Sequence, residues 1–142
     1  MFKRAGLLAC LSLCLLSAVW LAGCADEPID EASLQGMWVP TDDSKVAWGD
    51  RIGAVDEVEF KLHVESKRIY SRIYEAYKTV KDASGKDVTQ RTSLINNQEY
   101  SYADRVFTLE QGWKITFLSA DKIKMSADEG EITLKRKPEE KK

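Results

Sequence analysis

A cysteine at the end of an apolar run is the residue whose chemistry stands out first. Residues Ala5–Ala22 carry no charge and are rich in Leu, and they follow the basic Lys3 and Arg4. Positive residues before an apolar run of this length are typical of an export signal. Gly23, directly before Cys24, is small and leaves the bond between the two residues accessible. The thiol of Cys24 is the good nucleophile at this place, and it can form a thioether.

Leu21-Ala22-Gly23-Cys24 resembles the lipobox of bacterial lipoprotein precursors. The resemblance implies cleavage between Gly23 and Cys24, a diacylglyceryl group on the sulfur and, in many bacteria, an acyl chain such as palmitate on the freed amine. One acyl chain holds a protein only marginally, at about 0.8 kcal/mol per buried methylene, whereas two or three anchor it permanently. The alternative is an uncleaved membrane anchor over Ala5–Ala22, which is just long enough to span.

The residue after the lipobox bears on where such a protein resides. In enterobacterial lipoproteins, Asp at this position retains the protein at the inner membrane. This chain has Ala25 there, so the resemblance implies an outer-membrane lipoprotein that faces the periplasm. Asp26 follows directly, and sorting rules differ between bacteria, so an inner-membrane or cell-membrane location is the alternative.

Composition excludes several classes of function for the 119 residues after Gly23. Cys10 and Cys14 lie in the apolar run, so Cys24 is the cysteine that remains, and an internal disulfide or a Cys-based metal site is excluded. Removing Lys3 and Arg4 leaves 19 basic and 23 acidic residues, a net charge of −4. This mild, evenly mixed charge argues against nucleic acid as a partner.

Residues for catalysis or metal binding do not form a recognisable set. His63 is the one His, on the polar face of its predicted strand, where we interpret it as a surface residue. Asp42, Asp43 and Asp50 share a loop, but their spacing does not match a calcium loop, and we interpret them as solvated. The chain after Gly23 also lacks a Gly-x-Ser-x-Gly motif and a glycine-rich phosphate loop. We therefore predict no enzyme activity, no cofactor and no metal.

Alternation of apolar and polar residues predicts that the exported part is all-β. Val58, Phe60, Leu62 and Val64 alternate with polar residues, and three later segments show the same period of two. The later apolar positions are Trp113, Ile115 and Phe117; Ile123 and Met125; and Ile132 and Leu134. Such short strands form an antiparallel meander, and closing the meander into a barrel removes its unpaired edges. An incompletely formed barrel or a strongly curled sheet is the alternative.

Turn residues separate these strands, and one segment is open to two interpretations. The predicted turns lie at 65–67, 82–87, Asn96-Asn97, 111–112, 120–121 and 128–130. In residues 67–81, Ile69, Ile73, Ala76, Tyr77 and Val80 stand at helical spacing. The Ile, Tyr, Thr and Val content of this segment nevertheless favours a strand. A helix at 67–81 would make the fold α+β.

Polar segments mark the predicted domain limits. Residues 1–23 are the cleaved signal peptide, and the acidic residues 24–33 are interpreted as a tether to the lipid. The β domain spans residues 34–137. The last residues, 138–142, read as a charged, solvated tail.

The start of the β domain resembles lipocalins and small lipocalin-like bacterial lipoproteins. Gly36-Met37-Trp38 matches their Gly-x-Trp motif in the first strand. In that family the Trp closes one end of the barrel and a late basic residue packs over its ring, a role that Arg136 matches here. A cation over a Trp ring contributes about 0.5–2 kcal/mol. The fold implied is a small lipocalin-like barrel, shorter than typical family members.

Two functions remain open at this point. The first is a lipid-anchored barrel that binds an apolar small molecule or a lipid. The second is a non-enzymatic interaction module that docks to another envelope protein. Trp48 is a candidate contact residue for either function, because it lies in a polar loop beside Gly49 without an obvious place in the core. An apolar internal pocket would favour the first, and a packed interior the second.

Overall fold

The computed structural model describes residues 28–41, 47–48, 52–128 and 130–140, and this part of the chain is all-β. Two short 3-10 helices, Glu31–Leu34 and Glu110–Gly112, accompany the strands. The strands are β1 (Gly36–Pro40), β2 (Ala47–Trp48), β3 (Ile52–His63), β4 (Arg68–Glu75), β5 (Lys78–Lys81), β6 (Asp87–Gln90), β7 (Ser93–Ala103), β8 (Val106–Leu109), β9 (Lys114–Ser119), β10 (Lys122–Ala127) and β11 (Gly130–Arg136).

Eight of these strands close into an antiparallel barrel. The order is β1-β11-β10-β9-β8-β7-β4-β3, and β3 returns to pair with β1. Trp38 sits at the closure, because it lies opposite Arg136 of β11 on one side and Val58 of β3 on the other. The small lipocalin-like barrel that the sequence predicts is therefore confirmed. A closed sheet leaves no unpaired edge between these eight strands.

The alternation of residues in the sequence becomes the inside and outside of the barrel. In β4, for example, Ile69 and Ile73 are buried while Arg68 and Arg72 are half-buried. Seventeen apolar side chains, each exposed by 7% or less, form one continuous core. Its fully buried large members are Trp38, Phe60, Phe107, Leu34, Ile69, Ile73, Ile115, Ile123, Met125, Ile132 and Leu134.

Residues 67–81 contain β4 and β5, so the strand prediction is confirmed and the helical alternative is wrong. The helical spacing is explained by Ile69 and Ile73, because residues four apart share a face in a strand as well as in a helix. Ala76 and Tyr77 lie beyond the end of β4 and are exposed. Val80 lies in the next strand, in a separate two-stranded sheet of β5 and β6.

The predicted turn at Asn96-Asn97 is wrong, because both residues lie in the middle of β7. They pair with Ser71 and Tyr70 of β4, respectively. The chain instead reverses after β7 at Asp104 and Arg105, whose φ angles of 51° and 65° permit a tight turn.

The start of the domain lies earlier than residue 34. Ile29 packs against the core, and Asp30 caps the helix Glu31–Leu34 by accepting a hydrogen bond from the Ser33 amide at 3.0 Å. The last part of the predicted tether, residues 29–33, is thus a covering segment of the barrel. The covering segment and the closed barrel together lie within residues 29–136 and hold every core residue among those that the structure describes. Within the described ranges there is no helix long and apolar enough to cross a membrane.

Candidate functional site

One end of the barrel is covered by the segment that precedes β1. Leu34 and Trp38 are completely buried there, and the indole Nε1 of Trp38 donates to the Leu34 carbonyl at 2.9 Å. The guanidinium of Arg136 lies 4.3 Å from the Trp38 ring centroid. Arg136 also donates to the carbonyls of Ser33, Gln35 and Ala120. These contacts tie the covering segment to the first and last strands.

Gly36 has a backbone conformation that favours glycine. Its φ of +122° is one that other residues rarely adopt, whereas a Cβ there would make only an ordinary contact with Arg136 Nη1, at 3.5 Å. This positive φ explains why a glycine stands at the first position of the Gly-x-Trp motif.

Glu31 fastens the covering segment to the far side of the barrel. Its carboxylate accepts a hydrogen bond from Lys67 Nζ at 2.6 Å and one from the Tyr100 hydroxyl at 2.8 Å. The Lys67 hydrogen bond holds the pKa of Glu31 below 4.5. Burial, together with the bond to Glu31, raises the pKa of Tyr100 far above 10.0, so its hydroxyl stays a donor. Tyr102 donates to the Ile29 carbonyl at 3.1 Å.

Aromatic rings fill the barrel behind this covered end. Phe107 is at the centre of the cluster, with ring centroids 5.1 Å from Tyr100, 4.6 Å from Tyr102 and 6.1 Å from Phe117. Phe117 is in turn 6.5 Å from Trp38 in an edge-on arrangement. This half of the interior is packed, and it offers a floor rather than a binding space.

The opposite end holds a cleft of about 350 Å³. The lining is mixed in polarity and open to solvent, since Ala54, Asp56 and Ala76 are exposed. The cleft lies where β3 bulges between Val55 and Glu57, at the end of its pairing with β4. Its walls are Val39, Pro40, Ala54, Val55, Asp56, Glu57 and Ala76.

Arg91 connects the residues at the rim of this cleft, namely Asp56, Glu57 and Glu75. It donates to Asp56 at 2.7 Å, to Glu57 at 3.1 Å and to the Glu75 carbonyl at 2.8 Å. Its guanidinium also lies 4.4 Å from the ring of Tyr74 and 4.7 Å from that of Tyr77. Arg91 thereby joins the base of the β5–β6 hairpin to β3 and β4.

Glu57 is the charged centre of the rim. Partial burial alone would raise its pKa, but hydrogen bonds from Lys137 and Arg91 outweigh that effect and lower it below 4.5. Glu57 therefore stays ionised at neutral pH. Lys137 also donates its backbone amide to the Met37 carbonyl at 2.9 Å, so the end of the chain is held here too.

Three uncharged polar side chains, Ser71, Asn96 and Gln98, interrupt the apolar inner face on β4 and β7. Ser71 is 2% exposed and lies opposite Asn96, while Gln98 is 5% exposed and lies opposite Ile69. Neither amide atom of Gln98 has a hydrogen-bond partner among the described residues, and the same holds for Nδ2 of Asn96. Sequence reasoning missed these residues because it interpreted Asn96 as part of a turn. Alternation with Tyr100 and Tyr102 was the signal that could have found them.

The other residues singled out from the sequence are distributed as follows. Gly23, Cys24, Asp42, Asp43 and Asp50 lie outside the described residues. Trp48 lies in β2, whose backbone pairs with Ile52 of β3, and the contact predicted for its side chain is likewise outside what is described. His63 is exposed at the end of β3. No group of three or more His, Cys, Asp or Glu suited to a metal occurs in the part of the chain that the structure describes.

Comparison with protein-family models, with curated proteins and with solved structures gives no match to this chain.

Proposed function

We propose that this chain is an envelope lipoprotein, anchored through acyl chains on Cys24, whose barrel binds an apolar small molecule or a lipid and catalyses no reaction. The asymmetry of the barrel ends carries the binding part of the proposal. One end is covered by the segment around Leu34 and by Arg136 over Trp38, whereas the other has a cleft of about 350 Å³. Small-molecule sites have volumes of this order.

Accessible inner-face residues at the open end support the same function. Leu94 faces inward, opposite the buried Ile73, and yet is only partly buried. Asn96, two residues deeper, is also partly buried, and Gln98 beyond it is 5% exposed. An inner face that is partly exposed at Leu94 and Asn96 and buried at Gln98 and Tyr100 is expected for the wall of an opening.

The anchoring part of the proposal is supported by the sequence. Leu21-Ala22-Gly23-Cys24 ends an uncharged run preceded by two basic residues. The covering segment begins at Ile29, a few residues after Cys24, so the domain would lie close to the outer-membrane surface. The experiment is metabolic labelling with a fatty acid in cells. We expect label on the wild-type chain and none on Cys24→Ala, and label on both would contradict the anchor.

Adjacent residues on opposite faces test where a ligand binds. Leu94→Glu places a charge on the inner face at the open end, and Ile95→Glu places the same charge on the outer face. We expect the first variant to abolish the fluorescence gain of the neutral probe N-phenylnaphthylamine and the second to preserve it. Near-ultraviolet circular dichroism checks the fold, and Leu94→Gln is the milder replacement. Equal binding by both glutamate variants would contradict an internal site.

The second candidate function, docking to another envelope protein, is supported by the outer face of β4. Arg68, Tyr70, Arg72 and Tyr74 alternate along it and are all half-buried, and Tyr and Arg are the residues that protein interfaces favour. Ile95 lies beside Arg72 and is 49% exposed.

A pair of equally exposed residues tests the docking function. A photoreactive amino acid at Ile95 would crosslink a partner in intact cells, and the same group at Leu118, also 49% exposed, is the control. Crosslinks confined to position 95 would favour docking, and equal or absent crosslinks would leave ligand binding as the function.

A further inference from the structure

The inner-face amides of Gln98 and Asn96 point to the chemical class of the ligand, an inference that rests on the proposed ligand-binding function. We propose that they form a polar subsite for the uncharged hydrogen-bonding head of an amphiphile. The apolar tail of this molecule would extend along Leu94 toward the open end. An alcohol, a primary amide or an acylglycerol has such a head.

Burial without partners is the first observation behind this subsite. Gln98 is 5% exposed, and its Nε2 and Oε1 make no hydrogen bond within the described part of the chain. The Nδ2 of Asn96 is buried and unpartnered in the same sense. A buried amide without a partner destabilises a fold by at least as much as a lost hydrogen bond, so native chains satisfy such groups with a ligand or an ordered water.

Juxtaposition on two neighbouring strands is the second observation. Ser71 lies directly opposite Asn96, and Gln98 lies two residues further along β7, opposite Ile69. A hydroxyl and two amides therefore share one patch of the inner face. Ser71 is the direct cross-strand neighbour of Asn96 and the diagonal neighbour of Gln98. Together they offer donors from Asn96 and Gln98 and an acceptor from Gln98, which matches a head that both donates and accepts.

The surroundings of the patch select against a charged head. Its neighbours on the inner face are Ile69, Ile73, Leu94 and Tyr100. The charged residue closest along β4 on this face is Glu75, about 13 Å from Ser71 at the rise of a strand. Glu75 already binds Lys78 at 2.7 Å. An ionised head would thus lose its water without gaining an opposite charge, which is strongly unfavourable.

The distance from Gln98 to the open end sets the length of the tail that the proposal requires. Leu94 is four residues from Gln98 on the same face, or about 13 Å along the strand. Leu94 is partly buried, as is Asn96 between them. A tail laid along this line would cover Leu94 and reach the end of the barrel that holds the cleft.

Three ligands with the same tail test the proposal: lauramide, laurate and dodecane, which differ only in the head. The protein is the chain from Ala25 to Lys142, which contains the whole covered barrel. By calorimetric titration at neutral pH, we expect lauramide to bind at least about tenfold more tightly than laurate or dodecane. Gln98→Met should weaken lauramide binding about ten- to a hundredfold and leave dodecane binding unchanged.

Unliganded stability gives a second readout with an opposite sign. Gln98→Met removes the unpartnered amide, so we expect its thermal midpoint without ligand to rise by about 3–6 °C. Gln90→Met, the same change on the exposed strand β6, is the control and should alter neither quantity. Asn96→Leu provides an independent variant in case Gln98→Met does not fold.

The outcomes separate this inference from the function beneath it. Binding of dodecane with no preference for lauramide, or a preference that survives in Gln98→Met and Asn96→Leu, would overturn the subsite while leaving the binding function intact. The amides would then be satisfied by ordered water. Binding of none of the three ligands would overturn the subsite and count against the binding function as well.

Discussion

The guanidinium of Arg136 lies 4.3 Å from the ring centroid of Trp38, and this contact joins the last strand of the barrel to the first. The same guanidinium donates to the carbonyls of Ser33 and Gln35, so it also holds the covering segment in place. One side chain therefore links the closure of the barrel to the covering of one of its ends.

Replacing Arg136 by Ala tests this link. The variant loses the cation–π contact and three hydrogen bonds to carbonyls, and we expect the free energy of unfolding to fall by about 2–4 kcal/mol. Urea denaturation measures it. Lys135→Ala, one residue earlier and exposed, is the control and should change stability by less than about 0.5 kcal/mol. Equal effects of the two variants would show that the Trp38 contact contributes nothing.

Acid should destabilise the folded chain through two carboxylates, Glu31 in the covering segment and Glu57 at the opposite end of the barrel. The folded chain lowers the pKa of Glu31 and of Glu57 below 4.5. A lowered carboxyl pKa contributes stability that is present above the unfolded value and is lost as the pH falls through the lower folded value. We therefore expect the free energy of unfolding to decline once the pH drops below about 4.5.

Glu31→Gln isolates one of these carboxylates. We expect it to lower stability by about 1 kcal/mol at neutral pH, because Lys67 loses its partner, and to match the wild type at low pH. Glu65→Gln, an exposed carboxylate in the turn after β3, should lie on the wild-type curve at every pH. Denaturation curves across the acid range measure this, and a constant offset between Glu31→Gln and wild type would contradict the assignment.

The β5–β6 hairpin should be dispensable for the barrel. Its strands pair with each other, and none of its residues belongs to the core. Excising Thr79–Thr89 and joining the ends by a short turn should change stability by no more than about 1 kcal/mol. Loss of cooperative unfolding on excision would show that the hairpin supports the barrel.

Arg91→Gln removes the hydrogen bonds to Asp56 and Glu57, and we expect it to lower the free energy of unfolding by about 1–3 kcal/mol.

Phe107 should contribute most among the clustered rings. It is completely buried and contacts Tyr100, Tyr102 and Phe117. Phe107→Ala should lower the free energy of unfolding by about 3–5 kcal/mol, since it opens a cavity behind the covered end. Leu118→Ala, on a 49% exposed residue, should change it by less than about 0.5 kcal/mol. A small loss for Phe107→Ala would mean that this half of the barrel is loosely packed.

Strands with regular alternation were predictable from the sequence, because one face of each meets the core and the other meets water. Residues 114–119 and 122–127 are such strands, and the structure confirms them. The closure was indicated by the unpaired edges that a meander would otherwise expose and by the Gly-x-Trp resemblance, whereas its register was not predictable. Pairing between the first and last strands joins residues a hundred positions apart, and no local pattern encodes it.

Local patterns failed where polar residues serve the interior or the covered end. Asn96 and Asn97 are common turn residues, yet they occupy the centre of β7, where Asn96 faces Ser71 inside the barrel. The turn after β7 uses Asp104 and Arg105 and contains no glycine. Glu31 reads as a solvated tether residue, but its partners Lys67 and Tyr100 come from distant strands.

Native mass spectrometry of the protein extracted from membranes is the most direct measurement of the central claim, that a lipid-anchored barrel carries a small molecule. We expect a chain that begins at Cys24, with the added mass of a diacylglyceryl group and an acyl chain. We also expect a bound molecule with an uncharged polar head that leaves on gentle activation. A chain that retains Met1 to Gly23, or a barrel that carries no bound molecule, would contradict the account.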